Sequence, residues 1–293
     1  MNAIIYYISL PFLYLIALLP DFIFYIFSDF VCFLVYRIAA YRKKIVRKNL
    51  AKSFSERSLK ERRKIEKEFY SYLCDFMLET FKTLVFTRRS ALKHCALTPE
   101  AQKIFDQYSE KKQSIIVVMG HFGNWEWGGN AFSLSCKQTL HVVYHPLANP
   151  YFDRLIHYMR ERFGTKLIRM KESTKLIPAI AKELSAIVLI ADQAPKAENA
   201  YWTNFLNQDT PVFWGPERIA KKLNLPVVFI SINRLRRGKY ELRAEILIEN
   251  PSLSKEGEIT ELHARKLEKD IIQNPELWLW SHKRWKHKRP VNV

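Results

Sequence analysis

The distribution of apolar and polar residues divides the chain into three stretches. Ala3 to Pro20 carries no charged side chain, and apolar residues dominate as far as Tyr36, interrupted by Asp21 and Asp29. Residues 58–86, SLKERRKIEKEFYSYLCDFMLETFKTLVF, are charged in their first half and aromatic or aliphatic in their second. This predicts one long helix whose apolar end docks on a core or a membrane. From residue 114 the apolar runs shorten. SIIVVM (114–119), TLHVVY (139–144), TKLIRM (165–170), AIVLIAD (186–192) and PVVFISI (226–232) read as strands, and amphipathic stretches near 125–136, 151–163, 173–184 and 215–224 read as helices.

Strands alternating with helices predict βαβ units: an α/β fold with a largely parallel central sheet flanked by helices, and ligand sites at the carboxyl ends of its strands. INRLRRGKYELRAEILIE adds an antiparallel hairpin around Arg237-Gly238, and a helix over 258–273 leads to an aromatic, basic tail. FLNQDTPVFWGPERIAKK reads as a loop feeding a helix near Pro216. No repeat or long linker divides the chain, so the expected organisation is an N-terminal membrane anchor over residues 1–40 and one catalytic domain over 41–293.

The first apolar run has about the length of a membrane span, roughly 20 residues. A secretory signal peptide fits poorly, because no basic residue precedes the run and no small-residue cleavage site follows it. Pro11, Pro20 and the two aspartates favour a broken or re-entrant helical hairpin over one clean spanning helix. Residues 37–67 then hold 13 Lys/Arg against Glu56, Glu61 and Glu66, a net +10 within a total of +18. A basic cluster behind an apolar segment marks the cytoplasmic side and attracts anionic phospholipid headgroups. The expected location is therefore the cytoplasmic membrane, with the catalytic bulk facing the cytoplasm. Cys32, Cys74, Cys95 and Cys136 lack metal-ligand spacing and read as reduced structural thiols.

Candidate chemistry gathers behind the first central strand, in VVMGHFGNWEWGG. His121 and Glu126 are five apart, about 140° around a continuous helix, so they pair only if the chain turns between them. Gly123 and Asn124 supply such a turn, with Asn124 capping a helix that begins at Trp125. The expectation is that Glu126 accepts from one imidazole nitrogen while the other takes a proton from substrate, with Asn124 beside them facing the substrate. No GxSxG elbow is present and no cysteine lies on this turn, so the economical reaction is direct attack by a deprotonated acceptor on an activated acyl carbon. The negative oxygen formed needs donors, for which Arg154 and Arg160 on the 151–163 helix are candidates. Asp192 and Gln193, in IADQAP, end another strand and are expected to face the same cleft, Asp192 anchoring an arginine or orienting the acceptor. One Asp and one His 71 residues apart are thin grounds for a metal, and no dinucleotide or phosphate-loop fingerprint appears, so no cofactor is expected. Phe205, Phe213 and Trp214 are candidates for lining an acyl groove. The tail, with Trp278, Trp280 and Trp285 among Lys283, Arg284, Lys286, Lys288 and Arg289, suits a membrane interface or a phosphorylated headgroup.

Taken in order, these segments resemble the lipid A biosynthesis acyltransferases, the late lauroyl/myristoyl acyltransferase branch of the lysophospholipid acyltransferase superfamily. HFGNWE is similar to that family's His-x4-acidic motif, VVYHPLANPYFDRLIHYMRERFG to its second block, IADQAP to its Asp-Gln block, GPERIAKKLNLPVV to its fourth and PELWLWSHKRWK to its tryptophan-rich signature. The resemblance implies a glycerol-phosphate-acyltransferase-like fold, His121 as general base with Glu126 as its partner, an acyl carrier protein thioester as donor and a lipid A precursor or related bacterial lipid in the inner membrane as acceptor. His145 stands where the family commonly has an arginine, which leaves room for a different acceptor, an amine included. The competing reading is a basic membrane-associated nucleic-acid-binding protein without activity. It gives no role to the His121–Glu126 turn, and no helix-turn-helix, zinc-finger or RNA-recognition pattern is present, so nucleic acid is not expected as a partner.

Overall fold

The computed structural model describes residues 2–290. Four helices come first: α1 (Asn2–Leu18), α2 (Asp21–Phe33, continued by a π turn over Leu34–Ile38), α3 (Lys43–Ser53) and α4 (Leu59–Lys82). They are followed by α5 (Arg88–His94), β1 (Cys95–Leu97), α6 (Pro99–Glu110), β2 (Ile115–Met119), α7 (Trp125–Ser135), β3 (Thr139–Tyr144), α8 (Pro150–Glu161) and β4 (Lys166–Arg169). The chain continues through α9 (Ser173–Ile180), β5 (Ser185–Ile190), β6 (Ala200–Phe205), β7 (Gln208–Phe213), α10 (Gly215–Leu223), β8 (Val227–Arg236), β9 (Lys239–Ile248) and α11 (Glu258–Gln273).

Seven strands form one sheet in the order β1-β9-β8-β2-β5-β3-β4. The run from β8 to β4 is parallel, and β9 turns back antiparallel along β8 through Arg237-Gly238, where Gly238 has φ 73°. Strand β2 is buried along its whole length because helices cover both faces. Its alternation sends Ile115, Val117 and Met119 into the cluster with Phe105, Trp127 and Phe132, while Ile116 and Val118 face Phe69, Leu267 and Trp278. The segment expected as a loop before Pro216 is instead a separate β6–β7 hairpin. Leu206 and Asn207 turn it with positive φ.

Helices α1 and α2 lie against α4 instead of projecting from it. Tyr6 packs on Tyr151 and Phe152, and Leu10 and Leu13 join Leu84, Leu155 and Met159. Lys82 Nζ, almost buried, donates to Leu19 O and pairs with Asp21 at 2.8 Å. On α2, Ser28 Oγ donates to Asp75 Oδ1 at 2.7 Å and Tyr25 OH to Glu79 Oε1 at 2.8 Å. Arg237 bridges Asp29 to Asp75. The opposite faces are apolar and exposed: Ile4, Ile8, Phe12 and Leu15 on α1, and Phe22, Ile26, Phe30 and Phe33 on α2, each exposed by 55–77 %. Both sets follow the same i, i+4, i+8, i+11 spacing, one stripe per helix. Among the described residues no single helix is long and apolar enough to cross a membrane; the segment Asp21–Ile38 and α3 form a pair bent by 88°.

Candidate active site

Strands β2 and β5 are neighbours, with Met119 opposite Ile190. Two residues beyond each lie His121 and Asp192, so the parallel register sets them side by side at the carboxyl edge of the sheet. His121 Nδ1 stands 2.6 Å from Asp192 Oδ1, and the backbone N–H of His121 donates to Asp192 Oδ2 at 2.8 Å. Trp278 Nε1 donates to the same Oδ2 at 2.9 Å. Burial pushes the Asp192 carboxyl up. His121, by its charge when protonated and by its two donors, and Trp278 by its own donor outweigh this and hold the group far below the usual carboxylate range. A carboxylate fixed in this way keeps a proton on Nδ1 and, in the neutral ring, leaves Nε2 as the acceptor. The Asp192 side chain is 3 % exposed and that of His121 18 %, so the imidazole is the member of the pair that reaches outward. Gln193 Nε2 lies 3.5 Å from His121 Nε2.

The expected His121–Glu126 pair is not formed. Asn124 does cap α7, its Oδ1 accepting from Trp127 N at 3.0 Å, and this places Glu126 in the first helical turn. From there the carboxylate turns to α8, where Arg160 donates Nε to Oε2 at 2.9 Å and Nη2 to Oε1 at 2.6 Å. A bidentate guanidinium takes both carboxylate oxygens, and Asp192 already occupies Nδ1 of His121. Burial raises the Glu126 carboxyl, but Arg160 more than compensates and the net displacement is downward.

Asn124 does not face a substrate either. It is fully buried, with Nδ2 donating to Glu79 Oε2 at 2.8 Å and Oδ1 spent on the cap. Arg154 is exposed, with its guanidinium over the Tyr151 ring and Nε directed to Pro150 O; no described contact joins it to His121, and Arg160 is held by Glu126. The tail is a strap over the site, in contrast to the interfacial surface expected for it. Trp278 and Trp280 are buried, Arg284 is 2 % exposed, and Trp278 bridges to Phe122 while Leu277 O accepts from Gly123 N at 3.0 Å. Trp285 Nε1 donates to Thr210 Oγ1, while Lys283, Lys286, Lys288 and Arg289 remain exposed.

Helix α4 grips the turn from behind. Tyr72 OH donates to Gly123 O at 2.6 Å, and Glu79 O accepts from Trp127 Nε1 at 3.0 Å. The buried Glu79 carboxylate receives Asn124, Tyr240 OH and Tyr25 OH together. Burial, reinforced by Asp75, pushes it up to about 7. Gly123 has φ 62°, and a Cβ there would lie 1.8 Å from Ile232 O, so no other residue fits. Sequence reasoning missed Glu79 and Tyr72, and it assigned Trp278 to a surface and not to this site. The legible signal was limited to a carboxylate in the apolar half of α4.

Two cavities reach the neighbourhood of the pair through residues that touch His121, Trp125 on one and Gln193 on the other. A narrow slot of about 60 Å3 runs under the sheet between Trp125, Met119, Val188, Ile230 and Leu242, with Glu126 and Arg160 at its mouth. Trp125 also presents its ring to the His121 imidazole, centroids 5.0 Å apart and nearly perpendicular. A wider groove lies on the Gln193 side. Phe205 is buried in the core and Phe213 and Trp214 do not line the slot, so the expected aromatic acyl groove is not formed from them. Among the described residues no cluster of His, Cys, Asp and Glu could hold a metal ion.

Comparison with known proteins gives a consistent picture. The model of the family described as bacterial lipid A biosynthesis acyltransferase matches residues 1–287. The lipid A biosynthesis lauroyltransferase of Escherichia coli K12 is 27% identical over 265 residues, which is 89% of this chain and 84% of that protein. The lipid A biosynthesis palmitoleoyltransferase of the same organism is 24% identical over 270 residues, 89% of this chain and 86% of that protein. A lipid A biosynthesis acyltransferase of Shigella flexneri matches to the same extent.

Proposed function

Because the chain belongs to the bacterial lipid A biosynthesis acyltransferase family, we propose that it moves a fatty acyl chain from an acyl carrier protein thioester to a hydroxyl of a lipid A precursor, with His121 as general base. The observation that carries this reading is the His121–Asp192 pair: Nδ1 is committed to a buried carboxylate, and Nε2 is left as an acceptor 3.5 Å from Gln193, which lines one cavity, while Trp125, which lines another, stands against the ring. Nε2 takes the proton of the acceptor hydroxyl as its oxygen attacks the thioester carbonyl carbon. A C–O bond forms, the C–S bond breaks, and the departing thiolate recovers the proton from Nε2. An amine acceptor would follow the same course. Asp192 steadies the imidazolium formed in between.

Glu126 enters this scheme through Arg160 and not as the partner of the base. The pair stands at the mouth of the slot, where a guanidinium is suited to the negative charge that develops on the carbonyl oxygen. The slot is apolar and adjoins His121 through Trp125, which suits the donor's acyl chain. At about 60 Å3 it is shorter than a long chain requires, so Trp125 or Met119 moves when the chain enters.

Residues 1–40 serve as the anchor and 41–293 as the catalytic part in this reading. The two exposed apolar stripes on α1 and α2 support seating in a bilayer surface, and the net +10 over residues 37–67 supports contact with anionic headgroups beside them. The formal charge of +18 also suits an acidic carrier protein as donor, and an enzyme so placed on the cytoplasmic face of the inner membrane meets both substrates. The test is His121→Ala in a purified assay with a labelled acyl carrier protein thioester and a lipid A precursor. Transfer is expected to fall by about 10²–10⁴; undiminished transfer would remove the assignment.

A further inference from the structure

The groove on the Gln193 side takes no part in the proton transfer at His121. It encloses about 590 Å3 between α2 with its π turn, α4 and the tail, and its walls are Val31, Val35, Leu73, Met77 and Leu279. That volume falls in the range of small-molecule and lipid sites, roughly 300–1,000 Å3. At its inner end stand Gln193, 3.5 Å from the free nitrogen of His121, and His282, which burial pushes down to about 4 and so keeps uncharged at neutral pH. At its outer rim Arg42 donates to Ser281 O and lies over the Tyr41 ring.

We propose that this groove holds a hydrocarbon chain of the acceptor lipid, drawn sideways from the bilayer so that the acceptor hydroxyl comes to rest between Gln193 and His121. The proposal rests on the acyl-transfer reading above. Three observations select this occupant over the donor. The groove is continuous with the membrane-facing stripe of α2: Val31 and Val35 line it, while Phe30 and Phe33, one and two positions away, point outward. Arg42 at the rim, followed by Lys43 and Lys44, supplies cations where a phosphorylated headgroup would lie once its chain is inside. The donor, whose carrier protein is water-soluble, needs no entrance from the membrane side and has a separate slot lined by Trp125, whose ring stands 5.0 Å from the imidazole. A reaction between two lipid-bearing substrates needs two apolar sites meeting at one base, and the fold provides two.

The test fills the groove in the full-length protein. Met77 is 53 % exposed on α4 and belongs to neither the His121–Asp192 nor the Glu126–Arg160 pair, so Met77→Trp is expected to fold; Ala39→Phe, at another exposed wall position, is the second variant. With a radiolabelled lauroyl thioester of acyl carrier protein and a lipid A precursor in mixed micelles, KM for the precursor is expected to rise about tenfold or more. KM for the thioester, and its slow hydrolysis by water when no precursor is added, are expected to stay unchanged. An unchanged precursor KM in both variants overturns the proposal, and so does a rise in the thioester KM, which would place the donor in the groove. Wild-type protein that cleaves no thioester would take away the acyl-transfer reading and the groove assignment with it; wild-type turnover alongside an unchanged precursor KM would take away the groove alone.

Discussion

The turn at 120–127 and the helices α1 and α2 use the same long helix, α4, in opposite ways. The turn is held by Tyr72, Glu79 and the tail at Gly123, Asn124, Trp127 and Phe122, and all four of these are buried. The N-terminal helices are pinned to α4 by a few polar bonds on one side and leave long apolar side chains in the open on the other. Buried polar groups that are all satisfied fix a single geometry, as the proposed role of His121 requires. Exposed apolar stripes contribute nothing to the fold and gain free energy only by leaving water. The residues that lock the turn and those that leave apolar surface in water are therefore separate sets, and substitutions can address one without the other.

The harshest break on the turn is Gly123→Ala. With φ 62° and Ile232 O in the place of the new Cβ, the cost is expected to exceed about 4 kcal/mol, read as loss of cooperative melting. Glu79→Gln sharpens the comparison through pH. The Glu79 carboxyl is raised from 4.5 to about 7 in the folded protein, so between those values the folded state holds a proton that the unfolded chain has released. Its contribution is complete below pH 4.5 and is lost as pH rises through about 7, on the order of 3 kcal/mol. Urea melts of the glutamine variant are expected to be flatter than wild type across that window, since Gln can still bond Asn124 and the two tyrosines without titrating.

Trp278→Phe removes one donor to the Asp192 carboxylate and keeps the ring. A bond to a charged group is worth about 1.5–3 kcal/mol, so kcat is expected to fall about tenfold to a hundredfold with KM nearly unchanged. Smallest in the melting curve is Phe30→Ser on the exposed face of α2. Stability is expected to move by less than about 0.5 kcal/mol, while partitioning onto vesicles weakens by up to about 2 kcal/mol if the ring inserts. A large loss of stability in that variant would show the stripe to be part of the fold.

Much of the sheet was legible in advance, because a strand covered on both faces reads as a continuous apolar run. The runs at 114–119, 139–144 and 186–192 lie within two residues of β2, β3 and β5, and Arg237-Gly238 does turn the hairpin. The β6–β7 hairpin was hidden because its turn is Leu206-Asn207, without the Asn-Gly or Asp-Gly signal, and because Pro211 within β7 reads as a breaker. In the site, His121 and the Asn124 cap follow from local chain geometry. The partner of His121 does not, because Asp192 reaches it only through the adjacency of β2 and β5, a fact of tertiary pairing. Trp278 was misplaced for a related reason: tryptophans among cations have the same composition at a membrane surface and in a buried strap, and only the acceptor at Asp192 tells the two apart.

That strap bears on when the protein becomes able to react. A nascent chain that has emerged as far as β9 already contains both His121 and Asp192. The indole that locks the carboxylate and the backbone bridge to Phe122 come from residues beyond α11, among the later ones a ribosome adds. Until they arrive, the imidazole lacks its final alignment, and a partly made chain attached to the translating machinery is expected to transfer no acyl group.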